Sequence, residues 1–128
     1  MCIRDSLDPM PLHVQVATQA VLSRHLQDRG ELRHMRATLR QRRDLLAEGL
    51  ARLGYGVNKA DTGGLFLLVE PPAEIADAEA FVLEREATAR VRFNTPSWSG
   101  ATRHFRACFS LPEAVLREAL ARLATPRR

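Results

Sequence analysis

The stretch that decides the fold is His104-Phe105-Arg106-Ala107-Cys108-Phe109-Ser110, in which one arginine interrupts an apolar run that reads as a strand. Successive side chains of a strand point to opposite faces. The two phenylalanines and the alanine are therefore predicted to share one face, with the composition of a core. Arg106, Cys108 and Ser110 are predicted to share the other face.

Arg106 is the residue in this strand that needs an explanation. A guanidinium on a half-buried strand must be paired or must bind a ligand, because an unpaired buried charge is very costly. Its planar fork suits a carboxylate in bidentate geometry. The strand alone favours a structural salt bridge to an acid of the same chain. A carboxylate-binding site is the alternative.

The pattern on either side of this strand predicts an α+β fold. A long entry helix is followed by a small mixed or antiparallel sheet of three or four strands, with helices covering one side. The predicted helices are His13–Gln27, Glu31–Leu53, Ile75–Ala89 and a final one beginning near Pro112; the further strands are Tyr55–Asn58, Leu65–Glu70 and Val91–Phe93. Gly54 is predicted to end the second helix, and the pair Pro71-Pro72 is predicted to end the strand Leu65–Glu70.

Two helices have predicted apolar faces that can be checked. The inner side of the third helix is predicted to be Ala76, Ala80, Val82 and Leu83, and that of the last helix Val115, Leu116, Ala119, Leu120 and Leu123. Gly63-Gly64 is predicted to form a tight turn, since a phosphate-binding loop needs further glycines and a following helix.

A basic stripe follows one side of the second helix, at Arg33, Arg36, Arg40 and Arg43, in a chain of net charge +4. One interpretation is a nucleic-acid-binding face of a complete small α+β module. The other is a solvated face, partly offset by Arg40 with Asp44 and by Glu48 with Arg52. No aromatic residues interleave the stripe, so the solvated face is favoured and nucleic acid is not the expected partner.

Several kinds of site and location are not indicated by the sequence. The two cysteines and four histidines lack the spacing of metal ligands, so no metal site is predicted. No stretch has the length and apolarity of a membrane span, and no secretory signal stands at the start, so a cytoplasmic protein is expected. Residues 1–6 resemble a translated adapter and are expected to be a non-native leader, with the native start missing.

Six features in order resemble one known pattern, the C-terminal part of a class I/II, fold-type I, pyridoxal-phosphate-dependent aminotransferase. They are Arg42-Arg43-Asp44-Leu45-Leu46, Leu53-Gly54-Tyr55, Gly63-Gly64-Leu65-Phe66-Leu67-Leu68-Val69, Val91-Arg92-Phe93-Asn94-Thr95-Pro96, Phe105-Arg106-Ala107-Cys108-Phe109-Ser110 and the closing amphipathic helix. The resemblance extends from about Pro11 onward. It rests on order and spacing, since no single motif is specific.

The resemblance implies that residues 7–30 end a large cofactor domain and that residues 31–126 form the small domain. It implies a transferase that exchanges an amino group between an amino acid and a 2-oxo acid, with Arg106 binding the substrate α-carboxylate. It also implies pyridoxal 5'-phosphate as cofactor and a homodimer. Other reactions of the same fold type, by decarboxylases, lyases or biosynthetic cyclases, stay open.

The cofactor's own attachment site is not recognisable in this sequence. Lys59 is the only lysine, and Asn58-Lys59-Ala60-Asp61 does not resemble the family's Schiff-base lysine site. No catalytic or cofactor-binding residue is therefore predicted within these 128 residues. The chain by itself is expected to be inactive, as a fragment of a longer enzyme.

Overall fold

The computed structural model describes residues 16–27, 29–58, 64–99 and 102–125. The elements in chain order are α1 (Val16–Gln27), α2 (Arg29–Arg52), β1 (Gly56–Val57), β2 (Phe66–Glu70), α3 (Ala78–Ala89), α4 (Pro96–Ser99), β3 (Phe105–Cys108) and α5 (Glu113–Leu123). The arrangement is α+β, as the sequence pattern predicts.

The chain divides into two compact units, with the boundary inside α2 between Arg36 and Ala37. In the first unit, α1 has no buried residue. There, His25 Nδ1 lies 3.3 Å from a carboxylate oxygen of Glu31. The second unit contains the sheet and the buried core, and the candidate site belongs to it.

The sheet of the second unit is antiparallel, in the order β1-β2-β3. Leu67 lies opposite Ala107, and Leu68 lies opposite Arg106. Side chains alternate along β2 and β3, so that Leu67, Val69, Phe105 and Ala107 are buried and their neighbours are more exposed. The predicted small antiparallel sheet is thus confirmed.

The predicted strand Val91–Phe93 is wrong. This segment has no strand pairing, and the first ladder contact after it is a single-residue bridge between Asn94 and Arg106. Val91 and Phe93 are both buried in the core. The alternating apolar residues here belong to an irregular segment that packs against the core. A two-residue periodicity in the sequence does not distinguish such a segment from a strand.

The core lies on one face of the sheet and is centred on Phe105, whose surface is fully buried. The aromatic rings of Tyr55, Phe81 and Phe93 have centroids 6.3, 6.4 and 4.8 Å from the ring of Phe105. The helices add Leu46, Ala47, Leu50, Val82, Leu116 and Leu123 to the same cluster. Gly49 of α2 lies close against α5, since a Cβ there would clash with a methyl group of Leu120 and the leucine side chain would have to shift.

The predicted apolar sides of two helices need correction. The third helix begins at Ala78, where the side chain of Asp77 accepts a hydrogen bond from the Ala80 amide at 2.9 Å. That start places Ala78, Phe81, Val82 and Arg85 inward and leaves Ala80, Leu83 and the preceding Ala76 exposed. In α5, Val115 is exposed, whereas Leu116 and Leu123 are buried.

The inward position of Arg85 explains why apolar periodicity predicts the wrong inner side for α3. Its guanidinium carbon stands 5.4 Å from the ring centroid of Phe81, and one terminal nitrogen lies 3.2 Å from Glu84. The arginine thus occupies the fourth position of an inward stripe that apolar periodicity alone does not reveal.

Arg90 ends α3 in the left-handed region, with φ of 55°. This conformation costs a residue with a Cβ atom about 1–2 kcal/mol, whereas glycine adopts it freely. Part of this gain is offset, because glycine has more conformational entropy than arginine in the unfolded chain. We therefore expect Arg90→Gly to raise the free energy of unfolding by about 0.5–1 kcal/mol. Urea denaturation followed by circular dichroism measures the change.

Arg92→Gly is the matched control for this prediction. Arg92 is an exposed arginine two positions further on, and Arg90 is the one non-glycine residue with positive φ in the described ranges. The control should therefore give no stabilisation. Equal effects of the two substitutions would show that left-handed strain at Arg90 does not limit stability.

Candidate functional site

Arg106 lies in the middle of β3, on the face of the sheet opposite the core. Its side chain is half-buried, while Phe105 and Ala107 on either side of it are fully buried. The predicted division of the strand into a core face and an arginine face is therefore confirmed. The division fixes the direction in which the Arg106 side chain leaves the strand, because Phe105 and Phe109 cannot leave the core without losing their packing.

The backbone of Arg106 is bonded on the side away from β2. Its amide donates to the carbonyl of Asn94 and its carbonyl accepts from the amide of Asn94, both at 3.1 Å. Backbone groups of successive strand residues point to alternate edges. On the other edge, just beyond β3, the Phe109 amide donates to the carbonyl of Leu65, the residue before β2, at 3.0 Å. Arg106 is thus held between Leu68 on one side and Asn94 on the other.

The arginine face carries both apolar and polar side chains. Phe66 and Leu68 lie opposite Cys108 and Arg106 across the β2–β3 ladder. Cys108 and Ser110 are half-buried on the same face, with Sγ and Oγ 3.1 Å apart.

The acid at the end of β2 contacts other bases. Glu70 lies 2.9 Å from His104 Nε2 and 4.0 Å from Arg103 Nε.

The segment that carries Asn94 is fixed at its other end by an acid on α3. Ser97 donates its amide to one carboxylate oxygen of Glu79 at 2.9 Å and its hydroxyl to the other at 2.8 Å. These hydrogen bonds to the charged form lower the pKa of Glu79 below its ordinary value of 4.5. The side chain of Trp98, in the same segment, lies outside the described residues.

Sequence reasoning did not find the roles of Asn94, Ser97 and Glu79. The bond between Glu79 and Ser97 joins residues 18 positions apart, and no periodic pattern relates them. The one local signal is Pro96 followed by Ser97, which is typical of a helix start.

The far end of β3 is tied to α2 through Arg42. Its Nη1 donates to the carbonyl of Ser110 at 3.1 Å, and both groups are partly buried. The arginine therefore satisfies a carbonyl beyond the strand's last ladder pair and joins two elements 68 positions apart in sequence.

The predicted charge pairs of the basic stripe are only partly present. Asp44 pairs with its neighbour Arg43, at 2.6 Å, and not with Arg40. Arg52 uses the backbone carbonyl of Glu48, at 3.2 Å, in place of the carboxylate. Arg33, Arg36 and Arg40 are exposed, as expected of a solvated face.

Two other kinds of functional element are absent from the part of the chain that the structure describes. No three His, Cys, Asp or Glu side chains come together there as metal ligands would. Among those residues, no helix combines the length and apolarity needed to cross a membrane.

Comparison with known proteins identifies the family. The model of the family described as aminotransferase class I and II matches residues 4–123. The chain belongs to this family. A search of curated proteins found no match.

Solved structures similar to this aminotransferase chain include enzymes of Thermus thermophilus. An aspartate aminotransferase with maleate is 31% identical, with a TM-score of 0.71 over 84% of this chain and 28% of its own. A tetra mutant of an aspartate aminotransferase is 32% identical, with a TM-score of 0.66 over 75% and 26%. An aminotransferase from Eubacterium rectale is 26% identical, with a TM-score of 0.58 over 66% and 20%. The chain thus spans about a quarter of the length of these structures.

Membership of this family implies pyridoxal phosphate in the whole enzyme. The one lysine of the sequence, Lys59, lies outside the described residues. What the described residues offer is a half-buried guanidinium, that of Arg106, on the sheet face opposite the core.

The tie between Arg42 and Ser110 should contribute measurably to stability. Arg42→Met keeps the length of the side chain and removes the donor to a partly buried carbonyl. We expect the free energy of unfolding to fall by about 1 kcal/mol, as for loss of one such hydrogen bond. Arg40→Met removes an exposed arginine of the same helix and should change it by less than about 0.5 kcal/mol. Equal losses in both variants would contradict a specific role for the Ser110 contact.

Proposed function

We propose that this chain is part of a pyridoxal-phosphate-dependent aminotransferase acting on an amino acid and 2-oxo acid pair, in which Arg106 binds the substrate α-carboxylate. The observation that carries the proposal is the position of Arg106. It is a half-buried arginine on the sheet face opposite the core, in a chain that belongs to the class I and II aminotransferases.

The surroundings of Arg106 support carboxylate binding. Leu68 directly opposite and Phe66 next along the same face are apolar. Apolar neighbours limit the access of water, and a charge-assisted hydrogen bond is stronger where water is limited. Two parallel N–H groups of the guanidinium fix both the position and the orientation of a carboxylate, so the amino acid is held with its α-carbon in one place.

The rest of the chemistry is assigned to parts beyond this chain. When bound, pyridoxal phosphate supplies the electron sink for the reaction at the α-carbon. The lysine that attaches the cofactor belongs, in this proposal, to a longer parent protein, a cytoplasmic homodimer. Residues 7–30 then end its large domain and residues 31–126 form its small domain.

Other reactions of the same fold type share the requirement for a bound α-carboxylate. Decarboxylation, carbon–carbon cleavage and cyclisation are therefore alternatives to amino-group exchange. They differ in which bond at the α-carbon is broken, and the amino-group acceptor distinguishes them experimentally. Formation of a new amino acid from an added 2-oxo acid identifies a transaminase.

The role of Arg106 can be tested in the complete protein, expressed from the source gene. Arg106→Lys keeps the positive charge and loses the two-pronged geometry, whereas Arg106→Ala loses both. Truncating one partner of a buried charge pair costs about 2–5 kcal/mol, so we expect kcat/KM for the amino acid to fall about hundredfold or more in the alanine variant. The lysine variant should lie between the alanine variant and the wild type. Steady-state kinetics measure all three proteins.

Arg103→Lys is the control for the Arg106 variants. It makes the same change three residues earlier, at a half-buried arginine whose ion-pair contact is Glu70 at 4.0 Å. It should leave kcat/KM within a few fold of the wild type. Maleate gives a second readout, because its inhibition should weaken in Arg106→Lys and persist in Arg103→Lys. Unchanged KM and maleate inhibition in Arg106→Ala would exclude Arg106 from carboxylate binding.

The isolated chain of 128 residues should show no transaminase activity. It should also fail to form the visible absorption band of lysine-bound pyridoxal phosphate when mixed with the cofactor, in contrast to the complete protein. Absorption spectra and a coupled assay for the 2-oxo acid product provide the two measurements. Turnover by the purified chain would overturn this expectation.

A further inference from the structure

Both carboxylate oxygens of Glu79 are engaged by a single residue. Oε2 accepts the backbone amide of Ser97 at 2.9 Å, and Oε1 accepts its hydroxyl at 2.8 Å. The Ser97 hydroxyl also lies 3.1 Å from the hydroxyl of Thr95. This pair of bonds joins the first turn of α3 to the first turn of α4.

The amide of Ser97 needs an acceptor from elsewhere in the chain. Amides in the first turn of a helix have no partner within that helix, and Pro96 before it has no N–H at all. A cap is commonly supplied by the residue just before the helix. In α4 the acceptor is instead a carboxylate from another helix, so the bond fixes the position of the whole segment as well as satisfying a donor.

This segment leads directly to the arginine site. Asn94 lies three residues before Ser97 and exchanges two backbone hydrogen bonds with Arg106, both at 3.1 Å. Those bonds occupy the amide and carbonyl of Arg106 that face away from β2. The segment is therefore attached to Arg106 at one end and to Glu79 at the other.

We propose that Glu79 is a positioning residue for Arg106: its two bonds to Ser97 hold Asn94 against β3 and thereby fix the backbone from which the guanidinium projects. The proposal rests on the carboxylate-binding role of Arg106 for its functional meaning. Its structural part, the coupling of Glu79 to Asn94 and Arg106, stands independently of that role.

The ionisation of Glu79 agrees with this arrangement. The hydrogen bonds from Ser97 lower the pKa of Glu79 below 4.5, with a smaller contribution from Thr95, while the nearby carboxylate of Asp77 acts in the opposite direction. A lowered pKa in the folded state means that the stabilisation is present above pH 4.5 and is lost as the pH falls through the folded-state pKa. The two hydrogen bonds from Ser97 to Glu79, called the clamp below, are therefore both present at neutral pH.

Amide hydrogen exchange of the 128-residue chain, measured by NMR, tests the coupling without substrate or cofactor. Glu79→Ala removes both acceptors and places a good helix former in α3, which limits any loss of helix stability. We expect the Asn94 and Arg106 amides to exchange about tenfold faster, whereas the Phe109 amide, bonded to the carbonyl of Leu65 just before β2, changes little. Glu79→Gln keeps one carbonyl acceptor and should give an intermediate rate.

Glu86→Ala is the matched control, because Glu86 lies on the same helix and pairs with Arg92. It should leave exchange at Asn94 and Arg106 unchanged. Equal acceleration at Asn94, Arg106 and Phe109 in Glu79→Ala would indicate general destabilisation and overturn the proposal. So would unchanged exchange at Asn94 and Arg106.

The pH dependence gives a second readout on the same chain. The difference in free energy of unfolding between the wild type and Glu79→Gln should be constant at neutral pH and disappear on acidification below 4.5. A difference independent of pH would show that the glutamine acts by another route and would count against the clamp.

Kinetics of the complete protein separate this proposal from the proposed function. If both hold, Glu79→Ala raises KM for the amino acid about three- to tenfold and leaves kcat nearly unchanged, since it displaces the binding arginine and not the reacting groups. If exchange responds at Asn94 and Arg106 but KM is insensitive to Arg106→Ala, the clamp is real and the carboxylate role of Arg106 is wrong. If Arg106→Ala raises KM and exchange does not respond to Glu79→Ala, the clamp is wrong and the carboxylate role stands.

Discussion

The packing of Phe105 is the interaction on which the second unit depends. Its ring lies against aromatic side chains from the turn between α2 and β1, from α3 and from the segment before α4, so three separate stretches of chain are tied to one strand position. A ring with no exposed surface can be moved only by creating a cavity, which costs several kcal/mol. The register of β3 is therefore set from the core side.

The register set by Phe105 is sufficient to place Arg106 on the face of the sheet opposite the core. With positions 105, 107 and 109 held inward, Arg106 must project from the other face, and a slip by one residue would bury its charge. The core thus fixes the face of the sheet from which Arg106 projects, even though the guanidinium lies on the opposite side from the core. Asn94 completes the arrangement by engaging the arginine's backbone on the free side of the strand.

Much of this could be predicted from the sequence, because it depends on local periodicity. The two longer strands, the main helices and the outward direction of Arg106 follow from spacing alone. The strand at Val91–Phe93 was wrongly predicted since burial of an irregular segment imitates alternation. The inward face of α3 was missed because Arg85 occupies one of its positions and because the cap at Asp77 sets the phase. Contacts such as Glu79 with Ser97 depend on tertiary structure, and no sequence signal links those residues.

The bridge between Asn94 and Arg106 has a further consequence for how the sheet meets its surroundings. β3 is an outer strand, and the bridge occupies the backbone groups that would otherwise invite another strand to add there. The opposite edge, β1, is only two residues long. Short or blocked edges give little template for pairing between molecules. Within the described part of the chain, the β1 edge therefore offers a strand-forming peptide only two residues, and the β3 edge is already occupied at Arg106, the position from which the arginine side chain projects.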